Sequence, residues 1–296
     1  MFSSRRSLIP ALALVLAAPA ARAGEPEMMP LPHRGTVLAC AVSPDGKQVA
    51  TGGADKVVRV FDLATGREAT RIAVGKKVSG LAFSPDGKRL VTGDSNGIVQ
   101  TWDVNTGKTV WKIDLGRGAV NGVAVSADGR RVVASDDQTF GWIDAPTGKL
   151  LMRANYSNSS VTGLALAPDG KTLATATSDK QIGLWDVQIG RSLLHIAADD
   201  KSVAGVAFSP DGKMLASSGS DKTVRLWDTA TGKELKKIEA VAGVRHLAFN
   251  PDGKTLATAA DKTVRLYDPG SGKETRRFGD AVGKINGLAF SPDGSR

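Results

Sequence analysis

Three histidines and a single cysteine make up this chain's stock of soft ligands and neutral-pH proton carriers: His33, His195, His246 and Cys40. A structural or catalytic zinc site needs three or four such side chains at close, regular spacing. These four are scattered, and no H-E-x-x-H, C-x-x-C-H, G-x-S-x-G or phosphate-cradling glycine loop accompanies them. Aspartates are plentiful, but they recur at fixed intervals, and a residue repeated in every unit is accounted for by folding. The expectation from chemistry alone is no enzyme, no cofactor and no metal.

The interval is the informative quantity. Asp-Gly preceded by Pro or Ala recurs with its aspartate at Asp45, Asp86, Asp128, Asp169, Asp211, Asp252 and Asp293, in steps of 41 or 42 residues. A second signal keeps step, an aromatic or Ile followed by Asp, as in Trp102-Asp103, Trp185-Asp186 and Tyr267-Asp268. Such self-similarity indicates stacked or ring-forming repeats. Within one unit, "VSGLAF" at 78–83 alternates and favours a strand, "SPDGK" turns and "RLVTG" returns. A polar turn leads to a third strand such as "TVRLWD" at 223–228. The fourth strand, as in "TGKELKKIEA" at 231–240, is more polar and suits an outer edge. A lone four-stranded sheet with two apolar faces cannot shield itself, whereas sheets packed face to face around an axis bury both. The fold class is therefore all-β, a β-propeller.

Here the residues resemble the WD-repeat family, through "FSPDGK", "LATATSDKQIGLWD" at 173–186 and "LASSGSDKTVRLWD" at 215–228. The resemblance runs from about residue 36 to 296 and implies four-stranded blades. The family often places Gly-His before the first strand, its His bonding a turn Asp and, through Ser or Thr, the strand Trp. None of the three histidines follows a glycine, so that network is expected to be incomplete. Seven motif copies imply a seven-bladed plan with six complete blades and an incomplete seventh. The last copy, "INGLAF" at 285–290, would be an inner strand, and "MMPLPHR" at 28–34 its outer strand. A fragment, a half-filled seventh position and a six-bladed closure all remain open.

Alignment of the copies assigns roles. Cys40 shares its slot with Leu81, Val123, Leu164, Val206, Leu247 and Leu288, a packing position. "VLAC" at 37–40 is similar to a lipoprotein lipobox but lies well past the apolar leader. His246 replaces a residue that is glycine in five copies, which reads as a ring of glycines around a channel with one imidazole projecting. Between blades the turns vary. In the resembled family these turns form the docking face, which makes Lys76, Lys77, Arg117, Tyr156, Asn158, Asp199, Asp200, Arg245, His246 and Lys284 the partner-binding candidates.

Residues 1–23 are of another kind. Arg5 and Arg6 precede an apolar run, Leu8 to Ala18, and Ala21-Arg22-Ala23 offers a processing site. This is the plan of a signal peptide, by a Sec or twin-arginine route ("SRRSLI" at 4–9), with a mature chain from Gly24 in the periplasm or outside the cell. Residues 24–35 form an N-terminal segment and 36–296 the propeller. The formal charge of +9 includes three leader arginines. The remaining cations recur in turns, so a nucleic-acid footprint is not expected, nor a transmembrane segment. The expected function is a monomeric exported scaffold for protein partners. The alternatives are a propeller oxidoreductase, because "DVNTGKTVWKI" at 103–113 resembles the docking repeat of quinoprotein dehydrogenases through Trp111, or a small-ligand, sugar- or peptide-binding propeller.

Overall fold

The computed structural model describes residues 31–116, 118–155, 159–198, 201–240, 243–279 and 283–294. Twenty-four strands form six antiparallel sheets of four, each ordered first to fourth strand in sequence. These blades span residues 37–73, 78–114, 122–155, 161–197, 203–239 and 246–278. Blade one runs Val37–Val42, Gln48–Gly53, Val57–Asp62, Glu68–Ala73, and the others repeat it.

The turns follow from the motif. In the turn between first and second strands, Ser43 donates to Asp45 Oδ1 at 2.6 Å while the Lys47 amide donates to the same oxygen at 3.1 Å. Ser84 with Asp86, Ser126 with Asp128 and Ser209 with Asp211 repeat the hydroxyl bond. In the turn between third and fourth strands, Asp62 Oδ1 accepts from the Thr65 amide at 2.8 Å and its hydroxyl at 2.7 Å. Local polar bonding thus fixes both reversals at one end of every sheet.

The cores lie between blades. One cluster joins Ala50, Val58 and Val60 of blade one to Val78, Leu81 and Trp102 of blade two. Another joins Ile182 and Leu184 of blade four to Val203, Leu215 and Trp227 of blade five. Sharing cores across these seams makes neighbouring sheets depend on one another, which drives them into a ring.

Outer strands dock across each seam. Trp111 in the fourth strand of blade two (Thr109–Asp114) packs on the next blade's turn. There a Cβ on Gly148 (φ 73°) would stand 2.7 Å from the indole. Only glycine satisfies both that contact and the left-handed backbone. Met152 stands likewise over Gly190, Leu194 over Gly232 and Lys236 over Gly272.

The termini depart from the expectation of a seventh blade. Residues 285–290 carry no strand, because no returning strand is present among the described residues to complete a ladder. Residues 31–34 form no outer strand either; 24–30 and the leader lie outside the described residues. Instead Leu31, fully buried, joins Val49, Phe61 and Leu63 under blade one. Ile285 and Leu288 pack on Ala259 and Val264 of blade six.

Candidate functional site

At one end of the ring lie the loops between blades together with the turns between second and third strands. Hydrogen bonds tie the two sets together. The Val74 amide donates to Lys56 C=O at 3.1 Å, the Ser95 amide to Lys77 C=O at 3.0 Å, and the Ala198 amide to Lys180 C=O at 2.9 Å. Lys76, Lys77, Arg245 and Lys284 all stand exposed at this end. His246, the first residue of the inner strand His246–Phe249, is half-buried beneath them. Burial, then Arg245, hold its imidazole below the usual 6.5. Arg117, Tyr156, Asn158, Asp199 and Asp200 lie outside the described residues.

The glycine ring is not a channel lining. A Cβ on Gly205 would stand 2.7 Å from Arg245 C=O, on Gly163 3.2 Å from Gly205 Cα, and on Gly80 3.2 Å from the Val123 amide nitrogen. This slot faces the next blade's inner strand, and its glycines permit that close approach. A Cβ on Gly287 would stand 2.7 Å from Cys40 Sγ. Burial pushes the Cys40 thiol up to about 11, which leaves it a protonated packing group.

The neighbouring slot, polar in most copies, stitches blade to blade. Thr162 Oγ1 donates to Val203 C=O at 2.6 Å and Asn121 Nδ2 to Val161 C=O at 3.0 Å; Ser79 Oγ donates to Val120 C=O. Asn286 makes the same bond at 3.0 Å to Val37 C=O, across the seam between the two chain ends. A short polar residue recurring every 41 or 42 positions was the available signal.

A buried polar cluster in blade one went unread in the sequence. His33 is 1% exposed, with Nε2 2.6 Å from Thr51 Oγ1. Its Nδ1 stands 2.9 Å from Arg59 Nη1 and 3.2 Å from Asp55 Oδ2, which joins the imidazole to both the guanidinium and the turn carboxylate. Arg59 Nη1 also reaches Asp55 Oδ2 at 2.6 Å, and Arg59 Nε reaches Glu68 Oε2 at 3.4 Å. Burial chiefly, with Arg59 adding to it and Asp55 opposing, holds His33 below 6.5. The absence of a preceding glycine hid this histidine. Elsewhere only the far half of such a network forms. Trp102 Nε1 donates to Thr92 Oγ1 at 3.0 Å, Trp185 to Thr175 at 3.0 Å and Trp227 to Ser217 at 2.8 Å. Blade one has the histidine with Phe61 in the tryptophan slot.

His195 is bonded to Ser192 at 2.8 Å in an outer strand, edge-on to Trp185. Among the described residues, no three His, Cys, Asp or Glu side chains converge as a metal site. No helix among them is long and apolar enough to cross a membrane. At the opposite end, a cleft of about 420 Å³ between blades four and five is lined by residues including Pro168, Leu194, Phe208 and Asp211.

Two family models match the sequence. The WD domain, G-beta repeat model matches residues 26–62, 190–228 and 232–268, each taking in the strands and turns of the repeat described above. The chain carries WD repeats and its described residues fold as four-stranded propeller blades. A second propeller model, described as outer membrane protein assembly factor BamB, matches residues 54–197. That stretch contains the Trp111–Gly148 and Met152–Gly190 dockings. A curated relative, ribosome biogenesis protein erb1 of Aspergillus niger, is 47% identical over 45 residues. The match covers 15% of this WD-repeat chain and 6% of that protein.

Proposed function

We propose that this protein is an exported, non-catalytic scaffold that binds protein partners through the loop end of its ring. The observation that carries this reading is the contrast between the two ends. At the turn end, Asp and Ser or Thr repeat from blade to blade and are taken up in their own turns. At the loop end the residues differ from blade to blade, and Lys76, Lys77, Arg245 and Lys284 project into solvent. A rigid disc with one variable face suits recognition, although WD-repeat folds host many functions.

Support for an extracytoplasmic site comes from Arg5-Arg6, the apolar run and Ala21-Arg22-Ala23, and from the description of the second matching model. Asn286 repeats on blade one the bond that Asn121 and Thr162 make on their next blades, which supports reading 283–294 as the inner part of a seventh position. The protein is taken to act as a monomer.

An immobilised chain should capture a partner from periplasmic extract. K76E/K77E and K284E should release it, while charge reversal of the turn-end Lys88 and Lys213 should not. Capture unchanged by the loop-end variants would place the binding surface elsewhere. The oxidoreductase alternative draws on Trp111 in "DVNTGKTVWKI" at 103–113. Trp111, however, gives its indole N–H to Ala145 C=O at 2.7 Å and its ring to Gly148, a packing role. Absorbance of the purified protein with added quinone cofactor separates the two readings: a scaffold gives the spectrum of its parts.

A further inference from the structure

We propose that the loop end is electrostatically divided, and that the arc over the seam between blade six and blade one docks an acidic peptide segment of a protein partner. This rests on the loop end being the binding face and names the chemistry it selects.

The arc is continuous in the structure. The Ile285 amide donates to Asp261 C=O at 2.8 Å, Asn286 reaches Val37 C=O at 3.0 Å, and the Ala54 amide donates to Thr36 C=O at 2.9 Å. The Gly75 amide then reaches Lys56 C=O at 3.3 Å, and the Ser95 amide Lys77 C=O at 3.0 Å. Along that path stand Lys262, Lys284, Arg34, Lys56, Lys76 and Lys77, all exposed. None of the six is in an ion pair among the described residues.

The carboxylates of this sector do little to offset them. Asp55 is engaged by Arg59 and accepts from the Arg34 amide, and Glu68 is engaged by Arg59 and Arg71. Among the described residues, Asp261 is the exposed acid on the path. On the far side the signs mix, with exposed Asp114, Asp137 and Asp179 facing the same solvent as Lys180 and Lys222. A sector of one sign attracts its opposite and rejects its like.

Lys56 sits at φ 64° in a left-handed turn position that Lys180 and Lys222 repeat at φ 75° and 67° on the far side, and Gly97 holds it in blade two at φ 82°. Glycine is accepted in this turn, so the Lys56 charge can be removed without straining the backbone. The choice of partner class follows from the side chains present. The six are cations without an aromatic among them, so they offer carboxylates ion pairs and offer nucleic-acid bases no stacking platform.

The test titrates a fluorescein-labelled polyglutamate peptide, and separately a labelled oligothymidylate, into the full chain at low and physiological salt. Polyglutamate should bind and weaken as salt rises. K56G should fold at least as stably as the parent yet bind less tightly. K56G combined with K76E and K77E should weaken binding about tenfold. K180E/K222E on the far side should change it less than about twofold. The proposal is overturned if polyglutamate does not bind at low salt, if far-side reversal weakens it as much, or if oligothymidylate binds more tightly. Should polyglutamate fail while K76E/K77E still releases a captured partner, the loop-end reading stands and the acidic chemistry alone is lost.

Discussion

At the scale of single residues, blade contacts and buried imidazoles make the firmest claims. Gly148→Ala forces a Cβ into Trp111 and onto a positive φ, and should cost about 2–4 kcal/mol. Gly283→Ala meets nothing within 4 Å and should stay within about 0.5 kcal/mol, both read by denaturant unfolding. His33 and His246 are both held below 6.5 in the fold, so the unfolded chain takes up their protons first. Stability is therefore full above 6.5 and declines as pH falls below it, by at most about 1.4 kcal/mol per pH unit for each histidine, levelling once the folded imidazoles protonate. The turn carboxylates Asp45, Asp86, Asp128 and Asp211 are lowered from 3.8, chiefly by their serine hydroxyls, and act only at more acid pH. Unfolding midpoints between pH 7 and pH 5 should fall for the parent, and the decline should be largely absent in a His33→Gln/His246→Gly variant. A decline of equal slope in that variant would assign it to other groups.

At the scale of elements, the strand plan was readable because its signals are local. Alternation, Asp-Gly turns and the 41- or 42-residue step lie in the letters themselves, and the six sheets follow them. What could not be read depends on partners across the ring. "INGLAF" has the composition of an inner strand and forms none, because a strand is defined by its neighbour. "MMPLPHR" at 28–34 suits a sheet edge, yet its described part sends Leu31 and His33 under blade one. The glycine slot was located correctly and its direction was not, since a Cβ vector belongs to the blade it meets. Five of the ten binding candidates are placed at one end of the ring, and the other five lie outside the described residues. Seam packing predicts unequal costs for leucines along neighbouring strands. Leu215→Ala, in the core shared by blades four and five, should destabilise by about 2–5 kcal/mol. Leu193→Ala on an exposed outer edge should fall within about 0.5 kcal/mol, compared in the same unfolding assay.

At the scale of the whole molecule, a ring that buries its cores between sheets leaves two ends with different chemistry. One end is closed by self-bonded Asp turns, and the other carries loops whose residues differ from blade to blade. The second end is the one proposed to recognise a partner. Hydrogen–deuterium exchange of the chain, alone and with the captured partner, tests this most directly. Slowed exchange should concentrate in residues 54–57, 74–78, 243–246 and 283–286. Slowing confined to the turns at 44–47, 85–88 and 210–213, with the loop end unchanged, would contradict it.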